Sequence, residues 1–270
     1  NEVIAGCVIK FLPNDRRRMR LQTSELVKYL DDYLERARFT DFPGAFNGLQ
    51  VEGGETVKKI ALAVDACQFT IEAAAGYGAE MLIVHHGLFW GEKAPITGTY
   101  YKRLKAVFDN GLAVYSSHLP LDAHVEVGNS AVLARMLDLK IESGFGLAGG
   151  IPIGVVGIGE WDRSALVEHL GNQIDCTPQL FPFGPGHCQR IGIMTGGAGS
   201  QIKEAVAAGC DTFITGEGAH HTFFDAEELG INVIYAGHYA TETVGVRALG
   251  EHLKATFGLE TCFIDHPTGL

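Results

Sequence analysis

The sequence predicts an α/β protein made of two pseudo-symmetric βαβ-type lobes, which form one compact unit with sheets flanked by helices. Three observations support this class: short apolar runs suited to buried strands, helical segments between them, and a repeat of that order along the 270 residues. This length is enough to bury a sizeable core. We assign residues 21–135 to the first lobe and 136–270 to the second, and expect residues 1–20 to be an extension outside the fold.

The first lobe combines an amphipathic helix with strands that are apolar throughout. Leu26, Val27 and Leu30 recur at helical spacing, so a helix should begin near residue 24. The runs at 60–64 and 81–84 lack polar alternation, which is typical of parallel strands covered by helices on both faces. We therefore predict helices at 24–37, 69–77 and around 104–108, and strands at 60–64, 81–84 and 112–115.

The second half of the chain repeats the order of the first. Six residues between 60 and 87 recur in identical form 131 positions later: Ile60, Ile71, Ala74, Gly78, Ile83 and Gly87 match Ile191, Ile202, Ala205, Gly209, Ile214 and Gly218. A strand, a helix, a glycine turn and a second strand thus recur without a gap, and we infer a duplicated lobe. Chance identity in one short window is the alternative, and the matched order of elements makes it the weaker explanation.

Composition excludes several classes of protein. The chain carries 21 Lys and Arg against 32 Asp and Glu, a net charge of −11, which disfavours binding to nucleic-acid backbones and anionic membranes. No apolar run approaches the roughly 20 residues of a membrane-spanning helix. The six cysteines include no C-x-x-C pair, so neither a disulfide framework nor a zinc ribbon is indicated. We expect a cytoplasmic protein.

The first 18 residues differ from a secretory signal. A short apolar stretch precedes the arginines at 16–18, whereas a signal peptide places its charge before its apolar core. Met19 is a plausible natural start. The preceding residues are then a non-native addition, an upstream extension or a weak targeting arm.

Two adjacent histidines follow a predicted strand. His85 and His86 come directly after the run at 81–84, at the carboxyl end where open α/β sheets place their ligands. Neighbouring side chains of an extended backbone point in opposite directions. They could therefore reach two different metal ions lying side by side, although a pair of solvated loop histidines remains the alternative.

The third strand of each lobe leads to a histidine four residues before a carboxylate. These pairs are His118 with Asp122, and His238 with Glu242. Helical periodicity over 241–253 would place the second pair on one helical face, whereas Pro120 disfavours a helix in the first copy. Imidazoles and carboxylates suit zinc, iron or manganese, and a carboxylate can bridge two ions. A salt-bridged, exposed helix face is the alternative for the second pair.

Several motifs occur in a fixed order: NGLQVEG at 47–53, VHHGLFW at 84–90, HLPLDAH at 118–124, GN at 128–129, TGE at 215–217 and AGHYATE at 236–242. Together they resemble the Nif-three-like dinuclear metal-centre family, also called GTP cyclohydrolase 1 type 2 homologues. The resemblance extends from about residue 21 to 270 and is closest to short bacterial members. It implies two divalent ions per chain and a toroidal homohexamer with its metal sites facing an internal cavity. The metal ligands it implies are His85, His86, Asp122, His238 and Glu242.

Such a centre favours hydrolysis, because paired metal ions lower the pKa of water towards neutrality. We therefore expect a metal-dependent hydrolase acting on a nucleotide or another phosphorylated small molecule, with His118 or Glu217 transferring a proton to the leaving group. Glu217 stands 131 residues after His86 and should emerge at the matching strand end. The alternative is a non-catalytic metal-binding ring that acts as a scaffold, a regulator or a metal-handling protein.

Two further features are open to interpretation. The glycine-rich segment 195–200 follows a predicted strand, so it could expose backbone N–H groups to a phosphate, but a structural tight turn is the stronger interpretation. His220 and His221 depart from the plain family pattern. They are either surface residues at a helix start or additional metal or substrate contacts.

Overall fold

The computed structural model describes residues 20–90 and 94–270. The expectations for the N-terminal extension therefore concern residues outside the described ones, apart from Arg20. The strands are β1 (Leu21–Gln22), β2 (Gly48–Val51), β3 (Thr56–Val57), β4 (Lys59–Asp65), β5 (Met81–His86), β6 (Ala113–Ser116), β7 (Lys140–Ala148), β8 (Ile151–Asp162), β9 (Gln179–Pro182), β10 (His187–Ile193), β11 (Thr212–Thr215), β12 (Asn232–Tyr235) and β13 (Glu260–Phe263). The helices are α1 (Thr23–Tyr33), α2 (Gln68–Tyr77), α3 (Gly98–Asp109), α4 (Leu119–Asp122), α5 (Asn129–Met136), α6 (Arg163–Ile174), α7 (Ile202–Ala207), α8 (Thr222–Leu229) and α9 (His238–Phe257).

Two mixed sheets have the same internal order. In the first, with the order β13-β4-β5-β6-β2, strands β4, β5 and β6 are parallel and β2 runs antiparallel at the edge. In the second, with the order β7-β8-β10-β11-β12-β9, strands β10, β11 and β12 are parallel and β9 is the antiparallel edge. Each edge strand follows the first helix of its lobe. The predicted α/β class and the repeated βαβ order are confirmed.

The first helix is shorter than the sequence predicts. Helix α1 ends at Tyr33 instead of residue 37, and a 3₁₀ turn follows at Arg36–Arg38. Glu35 between them has a φ of 51°, in the left-handed region, which ends the α-helix. The predicted strands at 60–64, 81–84 and 112–115 all occur, with bounds shifted by no more than two residues.

The expectation that Pro120 prevents a helix is wrong. Helix α4 forms one turn over Leu119–Asp122, and the backbone N–H groups of Leu121 and Asp122 both donate to the carbonyl oxygen of His118. Pro120 lies in the first turn, where a backbone N–H has no partner within the helix. Its missing donor therefore costs nothing there.

A long antiparallel hairpin was not foreseen in the sequence. Strands β7 and β8 pair across the turn at Gly149 and Gly150, which have φ values of 58° and 87°. Strand β8 then pairs antiparallel with β10 and extends the second sheet. The expected parallel units are thus flanked by antiparallel strands on both sides of this sheet.

Helix α9 packs against both lobes. Val246 and Leu249 belong to the core beside the first sheet, and Val244 belongs to the core beside the second. A Cβ atom at Gly250 would lie 2.6 Å from Leu62 Cδ1, so the helix reaches β4 only because position 250 lacks a side chain. Each buried aliphatic side chain contributes about 1.5–3 kcal/mol of stability. The start of α9 is therefore held in a fixed position between the lobes.

The end of the chain returns to the first sheet. Strand β13 pairs in parallel with β4, through Glu260 beside Lys59 and Phe263 beside Leu62. The division of the chain at residue 135 stays a prediction. Strand β13 comes from the second half of the sequence, yet it belongs to the sheet of the first lobe. The C-terminal segment thereby links the second half of the sequence to the first lobe.

Candidate metal centre

The adjacent histidines end strand β5. His85 is fully buried, and its Nδ1 donates a hydrogen bond to the carbonyl oxygen of Ser117 at 2.9 Å. His86 is half-buried, and its Nδ1 donates to Asp65 Oδ1 at the end of β4, also at 2.9 Å. These bonds fix both rings, so that each Nε2 remains available to a metal ion.

The second lobe contributes the first turns of α9. His238 Nδ1 donates to Glu217 Oε1 at 2.8 Å, and His238 Nε2 lies 3.2 Å from Glu242 Oε1. The two residues are one helical turn apart, so both side chains project from the same face, as the sequence predicts. Glu217 follows β11, just as His86 ends β5.

Glu242 is the point where the lobes meet. Its Oε1 atom lies 3.5 Å from His85 Nε2, and its Oε2 atom lies 3.5 Å from His86 Nε2. The side chain is only 4% exposed. One carboxylate from the second lobe thus faces histidines of both lobes, so a metal ion held by Glu242 would also be within reach of these imidazoles.

Asp122 completes the predicted set. Its Oδ2 atom lies 3.6 Å from His85 Nε2, while its Oδ1 atom accepts a hydrogen bond from Asn129 Nδ2 at 2.9 Å. Asn129 Oδ1 in turn accepts the backbone N–H of Gly245 in α9 at 2.8 Å. Asn129 therefore holds Asp122 in register with the helix that carries His238 and Glu242.

His118 lies beside the same cluster. Its ring centre is 5.0 Å from that of His85 and 5.6 Å from that of His86. Its Nδ1 donates to Asp41 Oδ1 at 2.8 Å, and its backbone N–H donates to Asn47 Oδ1. This histidine–carboxylate pair suits a proton-transfer group, but the position also lies within reach of a metal ion.

The donor atoms fit a cation. Two sets of side chains among the described residues each bring ligand atoms within 4.8 Å of one another: His85, His86 and His118, and His86, His238 and Glu242. His85 Nε2 and Glu242 Oε2 are buried without a hydrogen-bond partner in the described part of the chain. Each such unpaired atom costs about 1–3 kcal/mol. A metal ion would satisfy both.

The electrostatics of the cluster favour positive charge. Burial alone would lower the pKa of His85, but the Asp122 and Glu242 carboxylates raise it to about 10. A hydrogen bond to Glu242 raises the pKa of His238 to about 9. Burial would raise the pKa of Glu242, yet the imidazoles hold it well below its usual range. The cluster therefore stabilises protons or divalent ions on its imidazoles.

The carboxylates that orient the histidines are not among the residues that the sequence predicts for the site. Asp65 ends β4, and the same strand-end rule that identified His86 could have found it. Asp41 lies in a loop 77 positions before His118, so no spacing signal connects the two.

The glycine-rich segment has a steric role at the centre. A Cβ atom at Gly196 would lie 2.3 Å from Glu242 Oε1, and its φ is +69°. Its backbone carbonyl oxygen accepts hydrogen bonds from Gly216 and Glu217. This supports the interpretation of the segment as a tight turn, and here the turn makes room for Glu242.

The extra histidines lie apart from the metal-ligand sets. His220 and His221 are exposed and directly precede α8. Neither belongs to the possible ligand groups found among the described residues. Their place at a helix start agrees with the surface interpretation.

Named proteins from two microorganisms are similar to this chain over most of its length. It is 42% identical over 251 residues to a Deinococcus radiodurans protein named GTP cyclohydrolase 1 type 2 homolog, covering 91% of this chain and 94% of that protein. A Pyrococcus abyssi protein of the same name is 42% identical over 253 residues, covering 93% and 100%.

Solved structures show the same fold. TTHA1606 from Thermus thermophilus superposes with a TM-score of 0.85 at 42% identity, covering 93% of this chain and 100% of that one. The protein ybgI, described as of unknown function, superposes with a TM-score of 0.86 at 37% identity and the same coverage. The family model described as Duf34/NIF3 (NGG1p interacting factor 3) matches residues 21–269. The chain belongs to the Duf34/NIF3 family.

Proposed function

We propose that this protein is a dinuclear metal-dependent hydrolase acting on a nucleotide or another phosphorylated small molecule. The observation that carries the proposal is the position of Glu242. Its Oε1 atom faces His85 of the first lobe and His238 of the second, and its Oε2 atom faces His86 and is buried and unpaired among the described residues. His85, His86, Asp122, His238 and Glu242 would hold two ions, with zinc, iron and manganese all suited to these ligands.

Bound divalent ions supply Lewis acidity, since they polarise a phosphoryl or carbonyl oxygen and lower the pKa of water. His118 then acts as the proton-transfer group at its Nε2 atom, because its Nδ1–H is held by Asp41. Asp41 fixes the tautomer and stabilises the charged ring. Glu217 is the second candidate, since its carboxylate is exposed on one side and holds His238 on the other.

A non-catalytic role in metal handling is the competing proposal. The proximity of His118 to His85 and His86 favours it, because a further histidine ligand would help to close the coordination sphere. An enzyme needs at least one open position beside a pocket. The behaviour of a His118 variant therefore separates the two functions.

The test is turnover on a panel of nucleotides and phosphoesters, including opening of the GTP ring, by metal-loaded protein. We expect His118→Ala to lose most of its turnover and to keep its metal, because a proton-transfer group acts in the transition state. His187→Ala, which changes an exposed histidine of β10, serves as the control. Loss of metal in His118→Ala would instead identify His118 as a ligand and favour metal handling.

Assembly and compartment are also proposals. The family resemblance supports a homohexamer, and the cysteine pattern supports a cytoplasmic protein. Among the described residues, no helix combines the length and apolar character needed to cross a bilayer. Light scattering of the purified protein should give the mass of six chains, and a stable monomer at micromolar concentration would contradict the hexamer.

A further inference from the structure

An open pocket of about 540 Å³ adjoins the metal centre on the side of the first lobe. His86 and Asp65 contribute to its described lining, as do Arg103, Trp90 and His266. A molecule in this pocket would therefore contact a proposed metal ligand. Its position suggests that it holds the part of a substrate that does not react.

Arg103 is the unusual residue of this pocket. It lies half-buried on α3 and makes no hydrogen bond, ion pair or ring contact with the part of the chain that the structure describes, unlike every other described arginine. Carboxylates outnumber cations in this chain, so most cations can find a carboxylate partner. Arg103 has no such partner among the described residues, and its guanidinium group is therefore available to an external anion. The planar guanidinium group matches a phosphate or a carboxylate in geometry.

Aromatic rings line the same pocket. Trp90 is 49% exposed, and its ring lies 5.7 Å from that of His86 and 4.8 Å from that of His118. His266 stacks on Phe69 with ring centres 4.2 Å apart. A half-exposed indole beside a charged group suits a planar ring that carries the anion.

The charged residues favour anion binding in this pocket rather than in its counterpart in the second lobe. Asp65 is the one carboxylate among the described residues that line the pocket, and its Oδ1 atom already accepts a hydrogen bond from His86. The second pocket, of about 740 Å³, lies beside Glu217 and contains neither Lys nor Arg in its described lining. An anion is therefore expected on the Arg103 side.

We propose that this pocket binds a non-reacting oxyanion attached to a planar ring, with Arg103 as its counter-ion and Trp90 as its stacking surface. The inference rests on the proposed function, because the ligand is the substrate whose reacting group would lie at the metal centre. Arg103 then determines specificity for charged substrates without taking part in the reaction.

The experiment compares Arg103→Gln with Lys102→Gln in metal-loaded protein. Lys102 is an exposed cation next to Arg103 on α3, lies outside the pocket lining, and provides a matched loss of charge. Isothermal titration with phenyl phosphate and with benzoate measures binding, and elemental analysis measures metal content. We expect Arg103→Gln to weaken binding of at least one of the two probes about tenfold or more, and Lys102→Gln to have no effect.

Each outcome has one meaning for the pocket. If only phenyl phosphate depends on Arg103, the site recognises a phosphate, and if benzoate depends on it equally, a carboxylate suffices; both results support the pocket. Equal affinity of wild type and Arg103→Gln for both probes, with metal retained, contradicts the inference and leaves the proposed function intact. Failure of the wild type to bind metal contradicts the proposed function instead.

Discussion

Asp41 controls how His118 can act. Its side chain is 4% exposed and accepts hydrogen bonds from the ring of His118, from Asn47 and from the backbone N–H of Leu119. Burial would raise the pKa of Asp41, but the hydrogen bond from His118 holds it below its usual value. An ionised Asp41 therefore keeps the proton of His118 on Nδ1 and leaves Nε2 facing the metal centre.

We predict that Asp41→Asn lowers the hydrolytic rate about 10- to 100-fold and leaves metal content unchanged, because the amide no longer stabilises the charged imidazole. The loss should fall on kcat and leave KM nearly unchanged, because Asp41 acts on the proton-transfer ring and not on substrate binding. Asp109→Asn, on the exposed end of α3, is the control. An unchanged kcat, or a loss confined to KM, would contradict this role of Asp41.

Metal binding should release protons. The carboxylates around His85 and His238 raise their pKa values to about 10 and about 9, so both rings are protonated at neutral pH before metal binds. Metal ions bind neutral imidazole, so loading near pH 7 should release about two protons per chain. Affinity should therefore rise with pH and level off above about pH 10, the higher of the two pKa values. Titrations in buffers of different ionisation enthalpy measure this release, and a buffer-independent heat would contradict the prediction.

At the level of elements, the turn after β10 limits the space around Glu242. We predict that Gly196→Ala displaces the Glu242 carboxylate and strongly reduces metal content, since the new Cβ atom would lie 2.3 Å from Oε1. Gly78→Ala is the matched control, because its φ of +75° is equally unfavourable for alanine but nothing lies within 4 Å of the added atom. Both variants should lose about 1–2 kcal/mol from backbone strain. Equal metal content in the two variants would refute the steric role.

The helices and strands differ in how well they can be predicted from the sequence. Strands β4, β5 and β6 lie in the middle of a sheet, so their apolar runs carry a strong signal. The four-residue edge strands β2 and β9 are partly exposed, and the β7–β8 hairpin lacks continuous apolar character. The hydrophobic pattern of these strands therefore cannot be distinguished from that of loops. The one-turn helix at Leu119 tolerates Pro120 only because the proline lies in its first turn. Tertiary structure determines where this helix begins, so the sequence alone does not show it.

For the candidate site, the sequence predicts the residues at strand ends but not their partners. Strand ends and the repeat make His85, His86, His238 and Glu242 candidates, and the family resemblance implies that they are metal ligands. Asp41 could not be predicted, because its contact with His118 depends on the path of an irregular loop. The sequence also contains no signal for the unpaired state of Arg103, which only the packing of α3 reveals.

At the scale of the whole molecule, the two lobes share one site. The repeated sheet order places His85 and His86 opposite the start of α9, and Glu242 spans the gap between the lobes. If metal ions bind there, their binding free energy also opposes separation of the lobes. The duplication thus accounts for the shared site. Helices α4 and α9 follow the third strand of their respective lobes, and their lengths of one turn and twenty residues show how far the two copies have diverged.

The most direct test of this account is the metal content per chain of wild type and Glu242→Ala, measured by elemental analysis after loading and desalting. We predict about two divalent ions for the wild type and loss of both in Glu242→Ala, because a bridging carboxylate serves both positions. Glu251→Ala, an exposed change on the same helix, should keep both ions. One ion or none in the wild type, or two ions retained in Glu242→Ala, would contradict the shared site.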